Sequence, residues 1–142
     1  MALVDLRRVP SVPLDFMNGD HHQEANLLND LADSVTALRA GVEAPVTVRE
    51  RFASLYAHTR EHFAREEAAM ERARFPAFPT HKAEHDRVLA EMTEEGRHFS
   101  ESCDVHRLWD YVSRAVPSWF VQHIETMDLV TARFVTTAAV QP

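Results

Sequence analysis

Apolar residues recur along this chain with the 3.6-residue period of a helix, not the two-residue period of a strand. Met17, His21, Ala25, Leu28, Leu31, Ala32, Val35 and Leu38 form one such stripe and predict a first helix from about Leu14 to Ala40. Gly41 follows as a natural left-handed stop, with Pro45 soon after. Thr47-Val48-Arg49-Glu50 has the capping-box pattern and opens a second helix through Phe52, Leu55, Phe63 and Met70 to about Ala73. Pro76 and Pro79 bracket a turn, and Thr80 is the expected N-cap of a third helix through Val88, Leu89 and Met92, loosened near its end by Gly96. Asp104 is the expected N-cap of a fourth, with Leu108, Val112, Trp119, His123, Val130 and Phe134 on one side. Pro117 falls inside it and predicts a kink or a break.

Four long amphipathic segments with short connections define an all-α class, most simply an antiparallel up-down-up-down four-helix bundle. Residues 1–13, with Pro10 and Pro13, are expected to be an extended N-terminal arm, and residues 14–138 the bundle domain. A length of 142 residues suits one domain with one core.

Composition changes the picture little. A net charge of -7 argues against nucleic acid or an anionic membrane as partner. Cys103 is the single cysteine, so an internal disulfide is excluded. The start of the chain lacks the apolar run of a secretory leader. No apolar stretch approaches the roughly 18 residues that span a bilayer. A cytoplasmic protein is the expectation.

Histidine is the anomaly: there are nine, most of them at helix-period spacings. The second helix carries His62 and Glu66 at i, i+4, one turn apart on one face. The third carries His81 and His85 at the same spacing, and the fourth carries His123 and Asp128 at i, i+5, a pair that needs side-chain reach to converge. The first helix offers His21 on its apolar stripe. Each helix thus aims one or two nitrogen or oxygen ligands at a common interior.

Imidazole suits iron, zinc and copper, and a carboxylate can bridge two ions through its two oxygens. Seven ligands are too many for one ion and fit two octahedral ions that share an oxo or hydroxo bridge. Two ferrous ions bring four positive charges, which two carboxylates and a hydroxide reduce to about one, and only such neutralisation lets the charge be buried. One coordination position is left open for a small ligand. Any single pair is weak evidence, since polar i, i+4 pairs are common on helix surfaces. Taken together, the alternative would bury five histidines for no purpose.

His22 is in phase with Asn26, Asn29 and Asp33 and reads as surface. His58, one turn before His62, reads as a histidine flanking the core, with a supporting or alternative ligand role as the second option. His98 and His106 lie near helix ends and read as solvated. Cys103 has no evident base partner and is not expected to be a nucleophile.

With these residues in place, the chain resembles the hemerythrin-like family, bacterial branch, over roughly residues 14 to 135. The matching stretches are Asn18-Gly19-Asp20-His21 with Leu27-Leu28-Asn29-Asp30-Leu31, His62-Phe63-Ala64-Arg65-Glu66-Glu67 with Met70, His81-Lys82-Ala83-Glu84-His85, and Trp119-Phe120-Val121-Gln122-His123-Ile124 with Asp128. The resemblance implies a non-heme di-iron centre, with His81, His85 and His123 on one iron, His21 and His62 on the other, and Glu66 and Asp128 bridging. It implies reversible dioxygen binding at the iron with two histidines, for storage, transport or delivery, and no enzymatic turnover. Two departures stand out: Phe120 where the family often has leucine, and Asn18 where it often has aspartate. The alternatives are a sensor of oxygen, nitric oxide or iron, a di-iron peroxidase or oxidase, and a zinc protein. Ferritin-like enzymes pair two Glu-x-x-His motifs; here only Glu95-Gly96-Arg97-His98 has that spacing, and it stands alone.

Overall fold

The computed structural model describes residues 3–139. Helices α1 (Asp15–Arg39), α2 (Pro45–Ala73) and α3 (Phe78–Ser102) are followed by a fourth made of three α segments and two π turns. Its parts are α4 (Val105–Asp110), a π turn at Tyr111–Ala115, α5 (Val116–His123), a second π turn at Ile124–Asp128, and α6 (Leu129–Ala139). Neighbours in sequence pack together, and the fourth helix closes the bundle against α1 and α2. No strand occurs among the described residues. The all-α four-helix bundle read from the periodicity is the fold. No described helix is long and apolar enough to cross a membrane.

The helix ends follow simple rules, though not always at the expected residue. Gly41 ends α1 at φ +77°, with the Val42 amide bonded to the Ala37 carbonyl at 3.0 Å. Asp104 caps α4 by accepting from the Arg107 amide at 3.1 Å. The expected capping box at Thr47 does not form. The α2 helix starts two residues earlier at Pro45, whose missing N–H costs nothing in a first turn. In the same way α3 begins at Phe78 with Pro79 in its first turn, so Thr80 is already helical and not a cap. Gly96 does not loosen α3, which continues to Ser102; a Cβ there would stand 2.8 Å from the Phe52 ring, so this glycine lets α2 and α3 approach closely.

Pro117 does not break the fourth helix. The π turn ahead of it bonds the Val116 amide to the Tyr111 carbonyl, one residue further back than in an α-helix. Pro117 then sits in the first turn of α5. The second π turn repeats the pattern with the Leu129 amide on the Ile124 carbonyl. This extra residue shifts the register, and Val130, expected on the inner side, is 53% exposed. Thr131 and Ala132 take its place in the interior.

The segment before α1 is extended apart from a 3-10 turn at Leu6–Arg8, and it lies against the bundle. Val4, Val9 and Val12 are buried in the common core. Two side-chain amides hold the segment down. Asn29 bonds both the amide and carbonyl of Val4, each at 2.9 Å, and Asn18 does the same for Val12 at 2.9 and 2.8 Å. An ionised aspartate at position 18 could accept but not donate. The departure at Asn18 therefore serves this segment.

Candidate metal centre

The seven side chains singled out by spacing meet in the middle of the bundle, and each is buried. His21 comes from α1, and His62 and Glu66 from adjoining turns of α2. His81 and His85 come from α3, and His123 and Asp128 from the fourth helix. The i, i+5 spacing of the last pair matches the π turn between them. A turn widened by one residue returns Asp128 to the face of His123, so backbone geometry supplies the convergence instead of side-chain reach.

One ligand atom from each of Glu66, His81, His85, His123 and Asp128 lies within 4.8 Å of the others, and the same holds for His21, His62 and Glu66. Both carboxylates divide their oxygens between the two groups. Glu66 Oε2 faces His62 Nε2 at 3.0 Å and His21 Nε2 at 3.5 Å, while Oε1 faces His85 Nε2 at 3.2 Å and His81 Nε2 at 3.8 Å. Asp128 Oδ2 faces His21 Nε2 at 2.9 Å, while Oδ1 lies 3.1 Å from both His81 Nε2 and His123 Nε2.

This arrangement has a surplus of acceptors. His85 Nδ1 donates to Glu67 Oε2 at 2.9 Å, which leaves its Nε2 as a lone pair pointing at Glu66 Oε1, another acceptor. His85 Nε2, Glu66 Oε1, Asp128 Oδ1 and the Nδ1 atoms of His21 and His62 are buried without hydrogen-bond partners among the described residues. Buried polar atoms left unpaired cost about 1–3 kcal/mol each, and the facing lone pairs of His85 Nε2 and Glu66 Oε1 call for a cation between them. Imidazole with carboxylate is a donor set for a transition metal, and the residues fit one.

The electrostatics agree. Burial would push the Glu66 and Asp128 carboxyls up, but His62, His21, His81 and His123 around them hold both below the usual carboxylate range. Burial likewise pulls His62 and His21 down, and the carboxylates more than reverse it, raising His62 well above its ordinary value. The metal-free chain is thus held together by imidazolium–carboxylate pairs. The carboxylates contribute stability above about pH 4, their unfolded range, and lose it as pH falls further; the histidines contribute below about pH 6.5 and lose it as pH rises through their raised values. Melting in chelator should therefore peak between about pH 4.5 and 6.5 and decline towards pH 8.5. A saturating divalent cation should reverse that decline, because protons compete with it for the imidazoles. A metal-free melting temperature that climbs from pH 6.5 to 8.5 would contradict these pairings.

His22 is exposed as expected, and His106 is exposed as well. His98 is half-buried near Asp104, whose Oδ2 lies 3.5 Å from its Nε2. His58 stands beside the centre but turns Nε2 to the Asp20 carbonyl at 3.0 Å. Cys103 is exposed, with Arg49 Nη2 at 3.5 Å from its sulfur. Sequence reasoning missed the residues that back the rings. Glu67 holds His85, Thr131 lies 2.8 Å from His81 Nδ1, and Glu24 lies behind His62. Glu24 did leave a signal, as a charged residue one turn from His21 and beside the apolar stripe. Around the rings, Phe63 stacks on His85 at 3.8 Å, Trp119 stacks on His123 at 4.5 Å, and Phe120 meets His21 edge-on at 6.0 Å.

Fold and site together define a four-helix-bundle protein with a buried histidine–carboxylate centre for cations. The Hemerythrin HHE cation binding domain matches residues 12–134, and the chain belongs to the hemerythrin family. It is 35% identical over 116 residues to a bacteriohemerythrin of Ralstonia nicotianae, covering 78% of this chain and 73% of that one. It is also 28% identical over 131 residues to a bacteriohemerythrin of Aquifex aeolicus, covering 92% and 96%. No solved structure matches it.

Proposed function

We propose that this chain binds dioxygen reversibly at two irons that share an oxo or hydroxo bridge, and that it is a binding protein and not an enzyme. His81, His85 and His123 would hold one iron, His21 and His62 the other, with Glu66 and Asp128 across both. The division of carboxylate oxygens between the two histidine groups supports that partition. When bound, the ferrous pair supplies the electrons that dioxygen takes up and returns. The side chains of this protein neutralise the charge, keep bulk water away and leave the two-histidine side open.

The observation that carries the oxygen reading is the uneven sharing of the two carboxylates, with two histidines on one side and three on the other. Near the centre lies a cavity of about 30 Å³. Leu28, Leu55, Val116, Trp119 and Phe120 line it, together with Thr59 and Glu24. Phe120, the ring set against His21, and Glu24, behind His62, lie in its wall together with Trp119, which stacks on His123, so the cavity borders the residues that pack around the centre. A volume of that order suits water or a diatomic ligand better than an organic substrate. That favours oxygen binding over an oxidase acting on a larger molecule.

The test is an optical spectrum of the reduced, iron-loaded chain before and after air, with bound metal counted. Two irons per chain, with charge-transfer bands that appear in air and vanish under vacuum, are expected. Immediate irreversible oxidation would favour a redox enzyme or a sensor, and zinc or no metal would end the di-iron reading. Phe120→Leu removes part of the wall beside His21. It should speed oxygen release several-fold with iron content unchanged, measured by stopped-flow mixing with an oxygen scavenger. Identical release rates would take Phe120 out of the ligand's path.

A further inference from the structure

Glu24 is a buried carboxylate outside the seven-residue cluster, only 6% exposed. Thr59 Oγ1, also buried, lies 2.6 and 2.7 Å from its two oxygens and 2.8 Å from the Leu55 carbonyl. This contact ties α1 to α2 and fixes where the carboxylate points. Its next polar neighbour is His62, whose Nδ1 stands 3.6 Å from Glu24 Oε1. That nitrogen has no hydrogen-bond partner of its own, while His62 Nε2 faces Glu66 at 3.0 Å.

We propose that Glu24, held by Thr59, is the positioning residue for His62, accepting from its Nδ1–H so that the Nε2 lone pair faces the metal centre. The inference rests on the dinuclear reading above. Two other rings have an acceptor behind Nδ1 at hydrogen-bond distance, His85 from Glu67 at 2.9 Å and His81 from Thr131 at 2.8 Å, whereas Glu24 stands 3.6 Å from His62. An acceptor behind a ligating imidazole fixes its tautomer and orientation and strengthens it as a donor. The effect is greatest where fewest imidazoles share the work. An iron beside His21 and His62 would have two of them against three on the other, so disorder in one ring would remove half of its nitrogen ligation.

Glu24, His58 and His62 also bring one ligand atom each within 4.8 Å of one another, which raises the alternative of a third cation. The chemistry argues against it. His58 Nε2 donates to the Asp20 carbonyl and leaves only Nδ1 of that ring open, so the exclusion falls to His62. His62, with Nε2 engaged at the centre, would have to give up its remaining proton as well. The cluster serves the ring, not another ion.

Glu24→Leu removes the acceptor at similar volume, Glu24→Gln keeps an acceptor oxygen, and Thr59→Val frees the carboxylate from its anchor. Each full-length variant is loaded with ferrous iron under anaerobic conditions, desalted and counted, and titrated with cobalt(II) to resolve two binding constants. The wild type should hold two ions. Glu24→Leu should hold one, with the weaker constant raised roughly 10–100-fold and the tighter one unchanged. Glu24→Gln should recover much of the loss, and Thr59→Val should fall between. Two ions bound by Glu24→Leu with both constants within about twofold of wild type would overturn the proposal. So would equal weakening of both constants alongside a lower metal-free melting temperature, which marks a purely structural residue. A wild-type chain that holds fewer than two ions would remove the dinuclear reading, and this inference with it.

Discussion

Glu66→Ala is expected to leave the chain unable to hold two cations. Glu66 is fully buried, and its carboxylate is shared between the groups, within 3.8 Å of ring nitrogens of His21, His62, His81 and His85. Two divalent ions sit near one another only if anions stand between them. Removing one unit of negative charge about 4 Å from an ion costs roughly 4 kcal/mol per unit charge at the effective dielectric of such sites. For a divalent ion that doubles to about 8 kcal/mol, nearly a million-fold in affinity and more than enough to empty one position at micromolar metal. Glu66→Gln should lose as much, since it keeps the volume but not the charge, and it separates the electrostatic effect from a cavity effect. His81→Ala should behave similarly because its Nε2 lies near both carboxylates, at 3.8 Å from Glu66 and 3.1 Å from Asp128. The measurement is metal per chain after desalting, alongside helicity of the metal-free proteins. Two tightly held ions in Glu66→Gln, with an unchanged spectrum, would mean that the carboxylate does not bridge.

Phe63→Ala is expected to produce the largest loss of stability of any single truncation near the site. The ring is 1% exposed and lies flat on His85, with an interplanar angle of 3° and 3.8 Å between centroids. It also meets His62 at 5.0 Å and Trp119 at 6.1 Å, so it fills the space between α2, α3 and the fourth helix. Emptying such a position costs about 3–5 kcal/mol from lost transfer energy and the cavity left behind. Against a typical total of about 5–15 kcal/mol, the metal-free protein should melt roughly 10–20 °C lower. Cation binding restores part of this, because the ion binds only the folded chain. The partly exposed Phe16 is the control, and Phe16→Ala should change melting little. A shift of only a degree or two for Phe63→Ala would show that the site collapses to fill the void.

Both expectations involve residues visible in the sequence. The stripe through Met17, Ala25, Leu28 and Val35 is legible because a buried helix face must be apolar at every third or fourth position. The same rule exposes His21 as an anomaly, and the i, i+4 spacings of His62 with Glu66 and of His81 with His85 place ligands on single faces. Exact helix starts were less legible. Thr47 and Thr80 are good caps, yet Pro45 and Pro79 claim the first turns, because proline's fixed φ already suits a helix and it gives up no hydrogen bond there.

By itself, then, the sequence determined the number of helices, the inward face of the first three, and the seven side chains that meet there. These follow from periodicity and from the cost of burying polar groups without purpose. Only the tertiary structure decided the rest. The two π turns depend on how the fourth helix fits against its neighbours, and the second of them brings Asp128 and Thr131 inward and turns Val130 out. The partners behind the rings, Glu24, Glu67 and Thr131, lie 38, 18 and 50 positions from the histidines they face. The cavity beside Phe120 exists only where several helices leave a gap. Local periodicity acts within a helix, whereas register, ring orientation and empty space are properties of how helices pack.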